Sequence, residues 1–183
     1  LWGGRSLCPH CGRRLRWFEL IPLFSFFWQL GRCRGCQKKI SWQYPVVELL
    51  TGLAFLLPGI WRLIALTMIL LAAVDWRLMI IPNELIIVLL LFGLLLAPSG
   101  SFLKNYADWL PGPHSLAANH FLGALAGLLL IGLLYLLSSG RAMGFGDVKL
   151  AGAMGLILGW PDIVLALALA FLAGGLWSVF LII

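Results

Sequence analysis

IVLALALAFLAGGLWSVFLII, Ile163 to Ile183, is apolar throughout and carries no charge. A helix of about 20 such residues crosses a hydrocarbon layer about 30 Å thick. A soluble helix would keep one polar face for water, and this run has none. The stretch therefore reads as a membrane span.

Similar runs precede it. They are VVELLTGLAFLL (Val46–Leu57), RLIALTMILLAAV (Arg62–Val74), ELIIVLLLFGLLLA (Glu84–Ala97), FLGALAGLLLIGLLYLL (Phe121–Leu137) and VKLAGAMGLILGW (Val148–Trp160). Several are short and reach spanning length only with flanking Trp, Tyr, Ser and Gly. The expected fold is an all-α polytopic membrane protein of about six transmembrane helices. A looser stretch with Pro111, Gly112 and Pro113 is the only long loop among the runs. Composition agrees: 62% of the 183 residues are hydrophobic and 11% charged, against about a quarter charged in soluble domains. Gly and Ala in the last three runs suit close helix packing.

The charge is net +6, and eight of 13 Lys and Arg lie before position 40. Beside membrane spans, such a cluster marks a cytoplasmic flank, which explains the charge without nucleic acid. With the head in the cytoplasm, six spans put residues 75–83 and 138–147 on that side too. Eleven of the 13 cations then face the cytoplasm; Arg62 and Lys104 face away. Trp42, Trp76 and Trp160 read as interface anchors.

Residues 1–44 form a polar head holding all four cysteines, as Cys8-x-x-Cys11 and Cys33-x-x-Cys36. Paired knuckles about 20 residues apart suit a four-thiolate zinc site, with Gly12 and Gly35 easing the turns. Two disulfides are the alternative, disfavoured where thiols stay reduced. Four thiolates leave no open position, so the site reads as structural and His10 as a bystander.

Acids at membrane edges are functional candidates: Glu48, Asp75, Glu84 and Asp147. The threading brings Asp75, ending one span, and Asp147, opening another, to the same cytoplasmic face. Two carboxylates at one depth can share a proton. One activates water while the other donates to a scissile carbonyl, the chemistry of aspartic proteases. Gly144 and Gly146, around Phe145, would admit a peptide backbone. Pro82 would place Asp75 on an adjustable segment. The simpler alternative is that each Asp caps a helix, which suits Asp147 but not Asp75.

Four motifs in order, CPHCGRRLRWFELIPLFSF, GRCRGCQKKISWQYPVVELLTG, VDWRLMIIPNE and GRAMGFGDVKLAGAMG, resemble the prepilin peptidases, or type IV leader peptidases, of the GxGD membrane aspartic protease class. The likeness covers nearly the whole chain. It implies a catalytic pair, Asp75 and Asp147, and zinc on Cys8, Cys11, Cys33 and Cys36. Implied substrates are the prepilins and pseudopilins of type IV pilus and type II secretion systems, cut after a Gly at the cytoplasmic face of the bacterial inner membrane. Many members also methylate the new N-terminus with S-adenosylmethionine, so a bifunctional enzyme is expected; its methyl-donor site is not legible in these residues. The expected division is 1–44 zinc-binding and 45–183 protease, with prepilins and lipid bilayer as partners. Members usually carry a further span at each end, so the chain reads as a fragment or a degenerate member. Glu48 is read as a headgroup-level acid, with pairing to a base or service in methylation as alternatives. Lys149 and Arg141 would meet lipid phosphates, orient the leader or act on Asp147. His114 and His120 receive no role. The rivals are a proton-coupled transporter using the two Asp residues, and an inactive membrane-tethered zinc adaptor.

Overall fold

A computed structural model describes residues 6–96, 116–141 and 143–182. The Pro111–Pro113 loop, Lys104 and His114 lie outside the described residues. The chain divides into two compact units, Leu1–Arg77 and Leu78–Ile183.

The first unit opens with the cysteine head. A 3₁₀ turn, Trp17–Leu20, packs beside a short helix α1, Phe24–Trp28. Helices α2 (Gln43–Ala54) and α3 (Gly59–Leu78) follow, the final residue of α3 falling in the second unit. The buried side chain of Gln43 ties the start of α2 to the end of α3. Its amide donates to the Ala73 carbonyl at 2.8 Å, and its Oε1 accepts from Arg77 Nε at 2.8 Å. Arg77 also lies 5.0 Å from the Tyr44 ring.

The second unit contains α4 (Asn83–Leu96), α5 (Leu116–Leu137), α6 (Phe145–Leu158) and α7 (Asp162–Ile182). Helix α6 is its centre, packed against α5 and α4. Gly123 and Gly127 on α5 face Gly155 and Ala151 on α6 so closely that an added Cβ would strike main-chain atoms of the opposite helix. The small-residue packing expected for the last runs is therefore present between α5 and α6. Gly155→Leu should separate the pair and cost about 3 kcal/mol, because main chain cannot yield as a side chain can. Gly174→Leu on α7, where no atom lies within 4 Å, should stay within about 0.5 kcal/mol. Thermal melts in detergent compare the two.

All six apolar runs are helical. Of these helices α3, α5 and α7 are long and apolar enough to cross a membrane. Helices α2, α4 and α6 have 12, 14 and 14 residues in the structure. At 1.5 Å per residue they cover roughly 20 Å, about two thirds of a hydrocarbon layer. Six spans thus exceed what these lengths establish. Lipid-type exposure is plainest on α7, where Leu169, Leu172, Leu176 and Phe180 are all exposed.

Pro82 does not loosen the segment carrying Asp75. Helix α3 continues through Asp75 to Leu78, and Pro82 stands directly before α4, accepting from the Ile86 N–H. Proline is tolerated at a helix start because the N–H it lacks has no partner there.

Candidate active site and cysteine cluster

The two knuckles fold alike. In the first, Cys8 N donates to Arg13 O and Gly12 N to Cys8 O; in the second, Cys33 N donates to Lys38 O and Gln37 N to Cys33 O. Each knuckle is closed by one antiparallel bridge, Leu7–Arg14 and Arg32–Lys39. The residue after each second cysteine is left-handed: Gly12 at φ 65° and Gln37 at φ 58°. The residue bearing the turn in the second knuckle is therefore Gln37. Gly35 matters for contact, since a Cβ there would lie 3.2 Å from Arg13 Cδ and 3.5 Å from Cys11 Sγ. A side chain in left-handed backbone costs about 1–2 kcal/mol, offset in part by the entropy a glycine loses on folding. Gln37→Gly should consequently tighten metal retention against a chelator roughly two- to fivefold.

The four sulfurs lie within 4.8 Å of one another, with Cys8 Sγ and Cys36 Sγ 3.9 Å apart. A tetrahedral zinc with sulfur ligands at about 2.3 Å holds its sulfurs about 3.8 Å apart. The cluster could hold a metal with little rearrangement. The backbone N–H groups of His10 and Cys11 bring the Cys8 thiol down to about 6, so a thiolate is ready at neutral pH. Cys11 is drawn down by the Arg13 backbone N–H, but burial and the neighbouring thiols outweigh this and push it up to about 11.

Two carboxylates organise the head, buried Glu19 within it and half-buried Glu48 from α2. Glu19 pairs with Arg13 and accepts from Arg16 N at 2.8 Å. Glu48, on α2, accepts from Leu23 N at 2.8 Å. Leu23 has φ 60°, an uncommon conformation for a leucine, and it presents that N–H to the carboxylate. Glu48 thus reaches back into the head. Beside it lies a cavity of about 630 Å³ whose walls include Leu15, Phe26, Lys39, Tyr44, Glu48 and Arg77. Cys8 and Cys33 also reach this wall. The role of Glu19 was not evident in the sequence, where it stood as one acid in a basic segment.

Asp75 sits in the last turn of α3, exposed. Asp147 is the third residue of α6, half-buried. Its Oδ2 accepts from Gly144 N at 3.1 Å, and its own N–H donates to Gly144 O at 3.1 Å. Asp147 thus closes the first turn of its helix while Oδ1 has no partner among the described residues. The glycines beside it differ. A Cβ on Gly146 would lie 3.1 Å from the Ile81 side chain, whereas Gly144 has nothing nearer than Asp147 Oδ2 at 3.6 Å. Lys149 Nζ donates to Asn83 Oδ1 at 3.0 Å and lies 4.9 Å from the Phe145 ring centroid. The segment between α3 and α4 is therefore fastened to the first turns of α6 through Ile81 and Asn83. Arg141 is exposed.

His120, near the other end of α5, is 1% exposed, with Nδ1 2.9 Å from Leu156 O. Its place between α5 and α6 gave no signal in the sequence beyond a polar residue at the edge of an apolar run.

Two family models match consecutive parts of the chain. A family model described as the bacterial peptidase A24 N-terminal domain matches residues 1–62. A second, the type IV leader peptidase family, matches residues 62–179. The chain is 38% identical to a prepilin leader peptidase/N-methyltransferase of Aeromonas hydrophila, over 98% of this chain and 62% of that protein. Against the proteins of the same name from Dickeya chrysanthemi and Bacillus subtilis (strain 168), identity is 40% and 33%. The shares are 93% of this chain and 62% of the former, and 95% of this chain and 69% of the latter. The chain spans about three fifths of the first of these relatives. No solved structure matches it. The motifs, the two consecutive family matches and these identities establish that the chain belongs to the type IV leader peptidase family.

Proposed function

We propose that this chain is a membrane aspartic endopeptidase that removes the leader of type IV prepilins and pseudopilins. The cut follows a Gly at the cytoplasmic face of a bacterial inner membrane. The same enzyme N-methylates the new terminus. The observation that carries the reading is Asp147. Its carboxylate is anchored through one oxygen by the Gly144 N–H, and its other oxygen faces no partner among the described residues. Asp75, on α3, is its proposed partner. Of the pair, the ionised carboxylate takes a proton from water as it attacks, and the protonated one donates to the carbonyl oxygen that gains charge. Gly144, open above Asp147, gives an extended backbone room to approach. Gly146 is spoken for by Ile81, and Lys149 holds the adjoining segment through Asn83.

In this reading residues 1–44 are the cytoplasmic metal-binding domain and 45–183 the protease. All six apolar helices span the bilayer, the short ones with their flanks. The charge distribution supports that topology. The metal is structural zinc, held by Cys8, Cys11, Cys33 and Cys36.

S-adenosylmethionine fits the cavity of the head. About 630 Å³ is ample for a small molecule, since such sites run from about 300 to 1,000 Å³. Lys39 and Arg77 would face a carboxylate, Glu48 the ammonium and sulfonium charges, and Phe26 with Leu15 the purine. Bound there, the donor supplies an electrophilic methyl group. Arg77 follows Asp75 by two residues on α3, about 200° around the helix. The cavity and Asp75 thus occupy opposite faces of one helix end, which supports two separable sites.

The test is leader cleavage by Asp75→Asn and Asp147→Asn proteins that still insert into membranes at normal levels. Loss in both is expected. Cleavage retained in both would remove the proposal and leave the transporter and the zinc adaptor, the second marked by damage from Cys33→Ser alone.

A further inference from the structure

The cysteine head carries an outer aromatic surface beyond the metal cluster, sharing only Ser25 and Gln29 with the wall of the larger cavity. Trp17, Phe24, Phe27 and Trp28 are 78, 58, 60 and 67% exposed. Side chains of this size are rarely left in water together on a polar domain. Part of the surface is one cleft of about 240 Å³, lined by Phe18, Ile21, Phe24, Ser25, Trp28 and Arg34 together with Gln29. Phe24 and Trp28 stack at 5.6 Å, and Arg34 stands 5.3 Å from the Phe18 ring. An apolar slot closed by a guanidinium, a hydroxyl and an amide suits a phosphate ester with a hydrocarbon tail.

Charge selects the occupant. Between residues 6 and 42 the sole acid is Glu19, which is buried and paired with Arg13. The exposed charges there, Arg14, Arg16, Arg32, Arg34, Lys38 and Lys39, are all cationic. A surface that joins Trp and Phe to exposed Arg and Lys matches the headgroup layer of an anionic bilayer. Position agrees as well: Trp42 ends the head immediately before α2, and the same compact unit continues into α3, which is long enough to span. Tethered this way, the head meets lipid at high effective concentration.

We infer that the segment Trp17–Gln29 lies in the headgroup layer of the membrane, with the Phe24–Trp28–Arg34 cleft seating an anionic phospholipid headgroup. The metal cluster then serves as the clamp that keeps this aromatic face formed. The inference does not depend on the protease reading.

The test uses the full chain in nanodiscs of phosphatidylcholine alone, or of equal parts phosphatidylcholine and phosphatidylglycerol, followed by amide hydrogen exchange. Exchange over residues 17–30 should be at least about tenfold slower in the anionic discs. About 1 M salt, where screening reaches about 3 Å, should remove most of the difference. Arg34→Glu and Trp28→Ser should each abolish the protection while metal content per chain stays at the wild-type value. Should Trp28→Ser lose metal, Arg34→Glu, a change at an exposed side chain, decides. Equal exchange in both lipids overturns the inference. So does equal protection in an uncharged detergent, where no anionic headgroup is present.

Discussion

Asp147→Asn should lower leader cleavage by at least about a thousandfold and leave the protein folded. Asparagine keeps the shape of the side chain, and its carbonyl oxygen can still accept the Gly144 N–H that Asp147 Oδ2 accepts at 3.1 Å. What the fold loses is a negative charge at a helix N-terminus, about 0.3–1 kcal/mol. What the reaction loses is about 4 kcal/mol of transition-state stabilisation, at 1.36 kcal/mol per tenfold. The disparity separates the two readings of this residue. If Asp147 only caps α6, asparagine, an equally good cap, would leave cleavage near normal. Asp147→Glu adds a further discrimination. The carboxylate would advance by one methylene, away from its Gly144 anchor, and activity should fall although the charge is retained. Initial rates on a model prepilin, normalised to inserted protein, check both.

Stripping the metal, or Cys33→Ser, should unfold the head as a unit. Its buried hydrophobic residues are few, Cys8, Phe26 and Cys33 among them, too few to fold a domain of this size in water. Metal at such sites supplies about 10–16 kcal/mol to folding, far more than the Arg13–Glu19 pair or any single contact present. Loss of the cluster should take the Leu23–Glu48 bond and the adjoining cavity with it. Methylation should then fail completely. Re-uptake by the stripped protein carries a pH signature. In the unfolded head the Cys8 thiol returns to its ordinary value of 9.0, and each thiol must lose its proton to bind metal. Uptake of zinc should therefore slow steadily as pH falls. Stopped-flow with a zinc indicator reads the rate, and circular dichroism reads the head.

Much of this was legible in the residues because the signals were local. Each apolar run became a helix. The structure starts all six earlier than the run, as in α5, which begins at Leu116 rather than Phe121, because a first helical turn need not be apolar. Spacing alone brought the four cysteines together. Glycine and alanine content suited close packing among the last three runs, while the choice of α5 against α6, and of Gly123 against Gly155, comes from the tertiary arrangement. Other features depend on distant residues. Glu48 looked like an acid at headgroup level, yet its partner is Leu23, 25 positions earlier. Gly146 looked like room for substrate, yet Ile81 fills that space. Gln37 carries a left-handed turn for which only its offset from Cys33, matching that of Gly12 from Cys8, gives a clue.

The central claim is that this chain cuts a prepilin at the membrane face and methylates what it exposes. The direct measurement is the mass of a model prepilin after incubation with the purified, zinc-loaded protein, with and without S-adenosylmethionine. The account predicts a product shortened by the leader and beginning after the Gly, heavier by one methyl group only when the donor is present, and no cut with Asp75→Asn or Asp147→Asn. A precursor left uncut by folded, zinc-loaded protein, or cut equally well by both variants, would contradict it.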